Sequence, residues 1–356
     1  MGRARLRDLG INIGVMPTGN YNAITDVPGV RVGHYTLVYD KPRVARTGVT
    51  VIQPRGGAVW DDQVFAGFHS FNGNGDFTGT HWLDESGLIT TPIALTNTHQ
   101  VGIVRDALIA YEFELRHVED FALPLVAETY DGWLNDINAF HLKPEHVYHA
   151  LENACSGLVE EGNVGGGTGM ICHEFKGGIG SSSRIATTDN GDYVVGVLVQ
   201  SNYGRRHLLR VDGVPVGREL DYERVPSART APVEGSIIVV IATNAPLLPT
   251  QCKRLAQRAV AGLARVGCIG HNGSGDLILA FSTGNHIPYG QMLTYDVQML
   301  PNGQMNALFE ATVEAVEESV LNALTAAETM IGFKNRVAPA LPLDDLQAIM
   351  AEYGRL

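Results

Sequence analysis

Positive charge is scarce in this chain. Its 26 Lys and Arg face 38 Asp and Glu, a net charge of −12 over 356 residues. That balance excludes a phosphate backbone or an anionic membrane surface as the main partner. The one dense basic stretch, Arg205-Arg206-His207-Leu208-Leu209-Arg210, reads as a solvated face or a source of salt-bridge donors. Cysteine is sparse too. Cys155, Cys172, Cys252 and Cys268 lack C-x-x-C spacing, so no disulfide framework is indicated and reduced, buried thiols are expected. No run of 18 apolar residues occurs, so no membrane-spanning helix is expected. The N-terminus is basic but lacks the apolar core of a secretion signal. A soluble cytoplasmic protein is expected.

What is present is glycine, 41 residues, where an average composition would give roughly 7 %. Without a collagen-like period, these residues mark turns and close backbone approaches. The densest stretch, residues 162–169, lacks the lysine of a phosphate-binding loop: Met170 stands where Lys or Ser would be needed. A helix is expected before it, not the strand of a dinucleotide site, so it reads as tight packing. His146 and His149 are spaced i, i+3 with no Asp, Glu or Cys placed to complete a metal set. Neither Ser236 nor Ser274 sits in G-x-S-x-G, which excludes the nucleophile elbow of an α/β-hydrolase. No cofactor or metal is called for.

The apolar pattern predicts strands at 47–53, 88–95, 193–200, 237–243 and 277–282. It predicts helices at 104–117, 144–161, 251–266, 307–330 and 344–353, with Thr250 capping the third and Gly267 stopping it. Residues 1–20 read as a loosely ordered arm, 56–87 as loops over short strands, and 212–235, rich in proline and charge, as the most exposed break. Strands and amphipathic helices in one chain without a linker indicate a single layered α/β domain over 1–356.

Two serines stand at strand entrances. Gly235-Ser236 opens the apolar run Ile237-Ile238-Val239-Val240-Ile241, and Asn272-Gly273-Ser274-Gly275-Asp276 opens the next strand. Strand, helix and strand (237–243, 251–266, 277–282) form a βαβ unit, whose strands are parallel and start at the same end of a sheet. If those strands are neighbours, Ser236, Ser274 and Asp276 share one end, within hydrogen-bonding range.

These segments, with Ile24 to His34, Leu95-Thr96-Asn97-Thr98, Ala127-Glu128-Thr129-Tyr130-Asp131-Gly132, residues 162–169 and Gln200-Ser201-Asn202-Tyr203-Gly204, resemble the family of L-aminopeptidase/D-amidase-esterases and β-aminopeptidases from about residue 20 to the end. These are serine hydrolases made as a self-cutting precursor. The resemblance implies cleavage between Gly235 and Ser236 into residues 1–235 and 236–356. The glycine's freedom to strain would open its carbonyl to the hydroxyl. It implies that Ser236 is the nucleophile, supported by Ser274 and Asp276, that Asn202 is the oxyanion amide with Tyr130 adding a hydrogen bond, and that Glu128 holds the substrate ammonium. Asn97 and Thr98 are given no role beyond the site wall. Asp276 is one methylene shorter than the glutamate expected of β-aminopeptidases, which favours the L-aminopeptidase/D-amidase branch.

The implied fold is a four-layer αββα sandwich resembling N-terminal nucleophile hydrolases with different strand connectivity. The implied assembly is a homotetramer of cut protomers, and the substrates are short peptides, amino-acid amides or esters. Two alternatives remain at this point. One is acyl transfer as in ornithine acetyltransferases, which use threonine at the cut. The other is an unprocessed peptide-binding protein.

Overall fold

The structure, a computed structural model, describes residues 2–115, 121–227, 235–290 and 293–356. In chain order the elements begin with β1 (Arg31–Tyr39), β2 (Ala45–Gln53), β3 (Asp62–Gly73), α1 (Thr80–Ser86), β4 (Leu88–Ile89) and β5 (Ile93–Asn97). Then come α2 (Val101–Ala110), β6 (Leu125–Thr129), α3 (Pro144–Glu152), β7 (Ile171–Cys172), β8 (Phe175–Lys176), β9 (Gly178–Thr188) and β10 (Gly191–Asn202). The chain closes with α4 (Val216–Glu219), β11 (Ser236–Thr243), α5 (Pro249–Val266), β12 (Gly275–Pro288), α6 (Met305–Ala326), β13 (Met330–Ile331), β14 (Val337–Ala338) and α7 (Leu343–Glu352). Among the described residues, one sheet runs β1-β2-β5-β6 and a larger one β4-β3-β12-β11-β10-β9.

The packing is four layers deep. Helices α5 and α6 cover the outer face of the larger sheet, and α2 and α3 cover that of the smaller one. Successive strand residues face opposite ways. Ile237, Val239 and Ile241 of β11 therefore join the helix-side core with Leu255, Ala259 and Val320. Ile238 and Val240 meet Ile52, Ile93 and Leu95 between the sheets. A strand buried on both faces reads as a continuous apolar run, as this one does. The expected αββα sandwich is present, and β11 and β12 are parallel neighbours joined through α5.

Several local expectations change. Residues 88–95 are not one strand: Pro92, which has no N–H for a ladder, separates β4 and β5, and they belong to different sheets. The helix from Pro144 ends at Glu152 instead of 161, because Cys155 pairs with Val32 and Gly157 turns at φ +109°. The 104–117 helix is α2 followed by a wider turn at Tyr111–Leu115, and residues 116–117 lie outside the described residues. Helix α5 has Pro249 in its first turn, where a missing N–H costs nothing. The Gln251 side chain closes on the Leu248 amide, so Thr250 is inside the helix and not its cap. Gly267 does stop it, at φ +108°.

Residues 56–87 hold a twelve-residue strand and a helix, not short strands under loops. The arm is not loose: Leu6, Leu9, Ile11 and Ile13 are buried, and Arg5 and Arg7 pair with Glu161 and Glu318. The 212–235 break is largely packed as far as it is described, with Val214, Val216, Leu220 and Val225 buried; residues 228–234 lie outside the described residues. Arg206 of the basic stretch is buried, its guanidinium against Phe175 and Tyr222. Three cysteines are buried, but Cys155 is exposed. His146 and His149 lie against the Tyr35 ring, and no cluster fit for a metal occurs among the described residues.

Candidate active site

The site forms where three strands of the larger sheet end together. Asn202 closes β10 opposite Ser236, the first residue of β11, and Ser236 lies beside Gly275, the first residue of β12. Alternation sends the side chains of Asn202 and Ser236 toward the space between the sheets, with those of Gln200 and Ile238. It sends Asp276 toward the helix layer, with Ile278.

Ser236 is buried at its rim position, and its Oγ accepts a hydrogen bond from the Gly275 backbone amide, 3.1 Å. Ser274 Oγ donates to Asp276 Oδ1, 2.5 Å. No hydrogen bond joins the two serine hydroxyls among the described residues, so the three expected groups share one strand end but not one continuous chain of bonds. Asp276 is fully buried. Burial pushes its carboxyl up to about 6, while the Ser274 hydroxyl and the Ile237 amide favour the ionised form.

Asn202 is held at both ends of its amide. Its Oδ1 accepts from the Ile171 backbone amide, 2.8 Å, and its Nδ2 donates to the Tyr130 carbonyl, 3.0 Å. A carboxamide nitrogen has two hydrogens, so one remains for a second acceptor. The strap β7 thus fixes which way the amide faces.

A cleft of about 510 Å³ opens over Ser236, lined by Gly73, Asn74, Gly75, Asp76, Thr98, Glu128, Tyr130 and Gly273 as well. Glu128 comes from β6 of the smaller sheet and is nearly fully buried. Thr98 Oγ1 donates to its Oε2, and the Asp76 backbone amide donates to its Oε1 at 3.0 Å. Burial raises its pKa above the usual carboxylate value, with those two bonds pulling the other way. A buried carboxylate facing a cleft is a site for a cation that can restore its ionised form. Tyr130 follows β6 and is half exposed on the cleft wall.

Glycine at 235 has a steric reason and not the strained dihedral expected from the sequence. Its φ is not in the left-handed region. A Cβ there would lie 1.8 Å from the Asn202 carbonyl oxygen and 2.7 Å from Tyr203 Cα.

A profile described as "Peptidase family S58" matches residues 22–338. The chain belongs to peptidase family S58. It is 46 % identical over 370 residues to the beta-peptidyl aminopeptidase BapA of Sphingosinicella microcystinivorans, covering 99 % of this chain and 93 % of that protein. Among solved structures, a beta-aminopeptidase of a Burkholderia species is 52 % identical with a TM-score of 0.91, covering 99 % of both chains. The L-aminopeptidase D-ala-esterase/amidase of Ochrobactrum anthropi, described as a new variant among the Ntn hydrolase fold, is 42 % identical with a TM-score of 0.92, again covering 99 % of both chains. The family resemblance read from the sequence therefore holds for family and fold. The branch preference drawn from Asp276 gains nothing from these identities, since the β-aminopeptidase is the more similar of the two structures.

Ser236, Glu128 and Tyr130 line one cleft, with Asn202, Ser274 and Asp276 immediately behind it. Sequence reasoning missed the end of β3. Asn74 donates from its backbone to the Ser274 carbonyl, 3.1 Å, and from its side chain to that of Gly273, 2.8 Å. Asn72 binds the His271 carbonyl. These bonds pin the loop that carries Ser274. The signal was Asn72-Gly73-Asn74-Gly75, a turn-forming run that the interleaved aromatics disguised. Thr98, given only a place on the site wall from sequence, lines the cleft and also orients Glu128.

Proposed function

We propose that this chain is a self-processing serine aminopeptidase of family S58 that releases N-terminal residues from short peptides, amino-acid amides or esters. The observation that carries the reading is the juxtaposition of the Ser236 hydroxyl and the buried Glu128 carboxylate across one cleft.

Processing begins with Ser236 Oγ attacking the Gly235 carbonyl carbon. The Gly235–Ser236 peptide bond breaks as an ester forms, and the serine nitrogen leaves as an amine. Water then hydrolyses the ester, returning the proton to Oγ and leaving Gly235 with a carboxylate. The freed α-amine has a reference pKa of about 7.7–8.0, so at pH 7 roughly a tenth of it is unprotonated and can accept the Oγ proton in the next attack. The substrate ammonium pairs with Glu128, which restricts attack to the first residue of a chain. The spare Asn202 Nδ2 hydrogen and the Tyr130 hydroxyl bind the oxyanion; one such donor contributes about 3 kcal/mol. The acyl group rests on Ser236 until water releases it. Ser274, polarised by Asp276, is a second route for the proton. A homotetramer of cut protomers belongs to the same proposal, supported by the family resemblance.

The test is Ser236→Ala. Its product should stay at the full 38.3 kDa and should not hydrolyse amino-acid p-nitroanilides, whereas the wild-type chain yields a fragment beginning Ser-Ile-Ile. Cutting or turnover without the hydroxyl refutes the reading.

A further inference from the structure

The helix-side face of the site holds a polar pair that the chemistry above leaves unused. Tyr203 follows the last residue of β10. Counting alternation from the row Asn202, Ser236 and Gly275, Tyr203 and Asp276 both point away from the cleft, into the layer beneath α5. Tyr203 packs there with Ile237, Cys172 and Cys268. Asp276 Oδ2 and Tyr203 Oη are each buried without a hydrogen-bond partner. Buried polar atoms are almost always satisfied, and two unmet atoms on the same face of one strand end point to a bridging water.

We propose that Tyr203 is a positioning residue whose hydroxyl donates, through one buried water, to Asp276 Oδ2 and so helps keep that carboxylate ionised behind Ser274. The inference rests on the reading that Asp276 and Ser274 serve Ser236. The geometry fits the donor inventory. Ser274 already occupies Oδ1. A phenol donates one hydrogen, and a water can accept it and donate onward to a carboxylate.

The other groups facing the carboxylate are the Ile237 amide from β11 and the Cys268 thiol from the end of α5. Behind Tyr203 stand Cys172 from β7 and the His173 ring, 5.1 Å away edge-on. Burial pushes both thiols up to about 12 and His173 down to about 4, so all three are neutral at pH 7. Burial raises the Tyr203 pKa well above its usual value, with Asp276 adding the smallest push in the same direction, which keeps the phenol protonated and able to donate.

Tyr203→Phe tests this with little change of shape. Losing a donor to the charged form raises the carboxyl pKa. The acid limb of kcat should therefore move up by about one pH unit. At pH 7, kcat should fall while KM holds. Infrared difference titration of the Asp276 carboxyl, assigned by its loss in Asp276→Asn, reads the same shift without turnover. A titration midpoint equal to that of the wild type overturns the proposal, whatever happens to kcat. If Ser236→Ala still turns over substrate, the catalytic reading fails instead, and the infrared midpoint still decides the role of Tyr203.

Discussion

Gly235→Ala converts a steric argument into a measurement. The added methyl would lie 1.8 Å from the Asn202 carbonyl oxygen and 2.7 Å from Tyr203 Cα. Both are backbone atoms and cannot rotate aside, so the start of β11 must move away from β10. Overpacking of this kind costs typically 1–3 kcal/mol, about the upper end here, or a fall in Tm of roughly 4 °C for a chain this long. The same shift separates Asn202 from Ser236, which are registered partners. A misplacement of about 1 Å at reacting groups slows a reaction roughly a hundredfold. The variant should therefore accumulate as precursor. Denaturing mass spectrometry over time would follow the fragments of 235 and 356 − 235 = 121 residues, and calorimetry would follow Tm. Ser236→Ala separates chemistry from crowding: it should abolish cutting with a smaller fall in Tm, since it loses one hydrogen bond, worth about 1 kcal/mol. If Gly235→Ala cuts at the wild-type rate and melts at the wild-type temperature, the close approach does not constrain this junction.

Two further substitutions probe the carboxylates. Glu128→Gln removes the charge facing the cleft; kcat/KM for substrates with a free ammonium should drop roughly thirty- to five-thousandfold, the range for breaking a buried charge pair. Discrimination against N-acetylated substrates should narrow with it, as parallel assays on both would reveal. Asp276→Asn should lose turnover yet gain stability at high pH. The native carboxyl titrates at about 6, against about 3.9 unfolded. Folding therefore takes up a proton between those values. The linked stability is fully present below the unfolded pKa and is lost as pH rises through 6, a loss of about 2–3 kcal/mol. The difference in Tm between variant and wild type should grow from pH 5 to pH 8; a constant difference would contradict the burial argument. Wild-type turnover should fall as pH drops through about 6.

Much of the site is legible in the sequence because β11 and α5 carry unmistakable patterns. The run Ile237 to Ile241 could only be a strand buried on both faces, and the helix ending at Gly267 makes the crossover to β12 parallel. That puts Ser236, Ser274 and Asp276 at one end of the sheet once the strands are neighbours, which the structure shows, with Ser236 beside Gly275. The failures share a cause: they depend on distant partners. Nothing within residues 1–20 indicates that Arg7 meets Glu318 on α6 or that Leu6 enters the core. Arg206 reads as solvated because its partners, Phe175 and Tyr222, are 31 residues before it and 16 after it. The β3 end is opaque for the same reason, since Asn72 and Asn74 bind a loop nearly 200 residues away. Local pattern specifies the elements, and long-range pairing decides which polar residues are buried.

The position of the proposed cut also follows from the ladder. β11 is a central strand, held by eight registered pairs to β10 and eight to β12. Ser236 is its first residue. Breaking the bond before it frees an amine at the strand end but removes no ladder partner from Ile237 onward. The strand therefore stays fixed, and the new amine appears beside a hydroxyl whose position the Gly275 amide already sets. An edge strand cut at the same point would be free to peel, and the nucleophile would lose its register with Asn202. Alternation then divides the chemistry between two environments. Asn202 and Ser236 point to the side between the sheets, where Ser236 lines the cleft, while Asp276, one residue past Gly275, is in the dry helix-side layer that raises its pKa. One strand end thus supplies a nucleophile on the cleft wall and a desolvated carboxylate from adjacent rows of the same sheet.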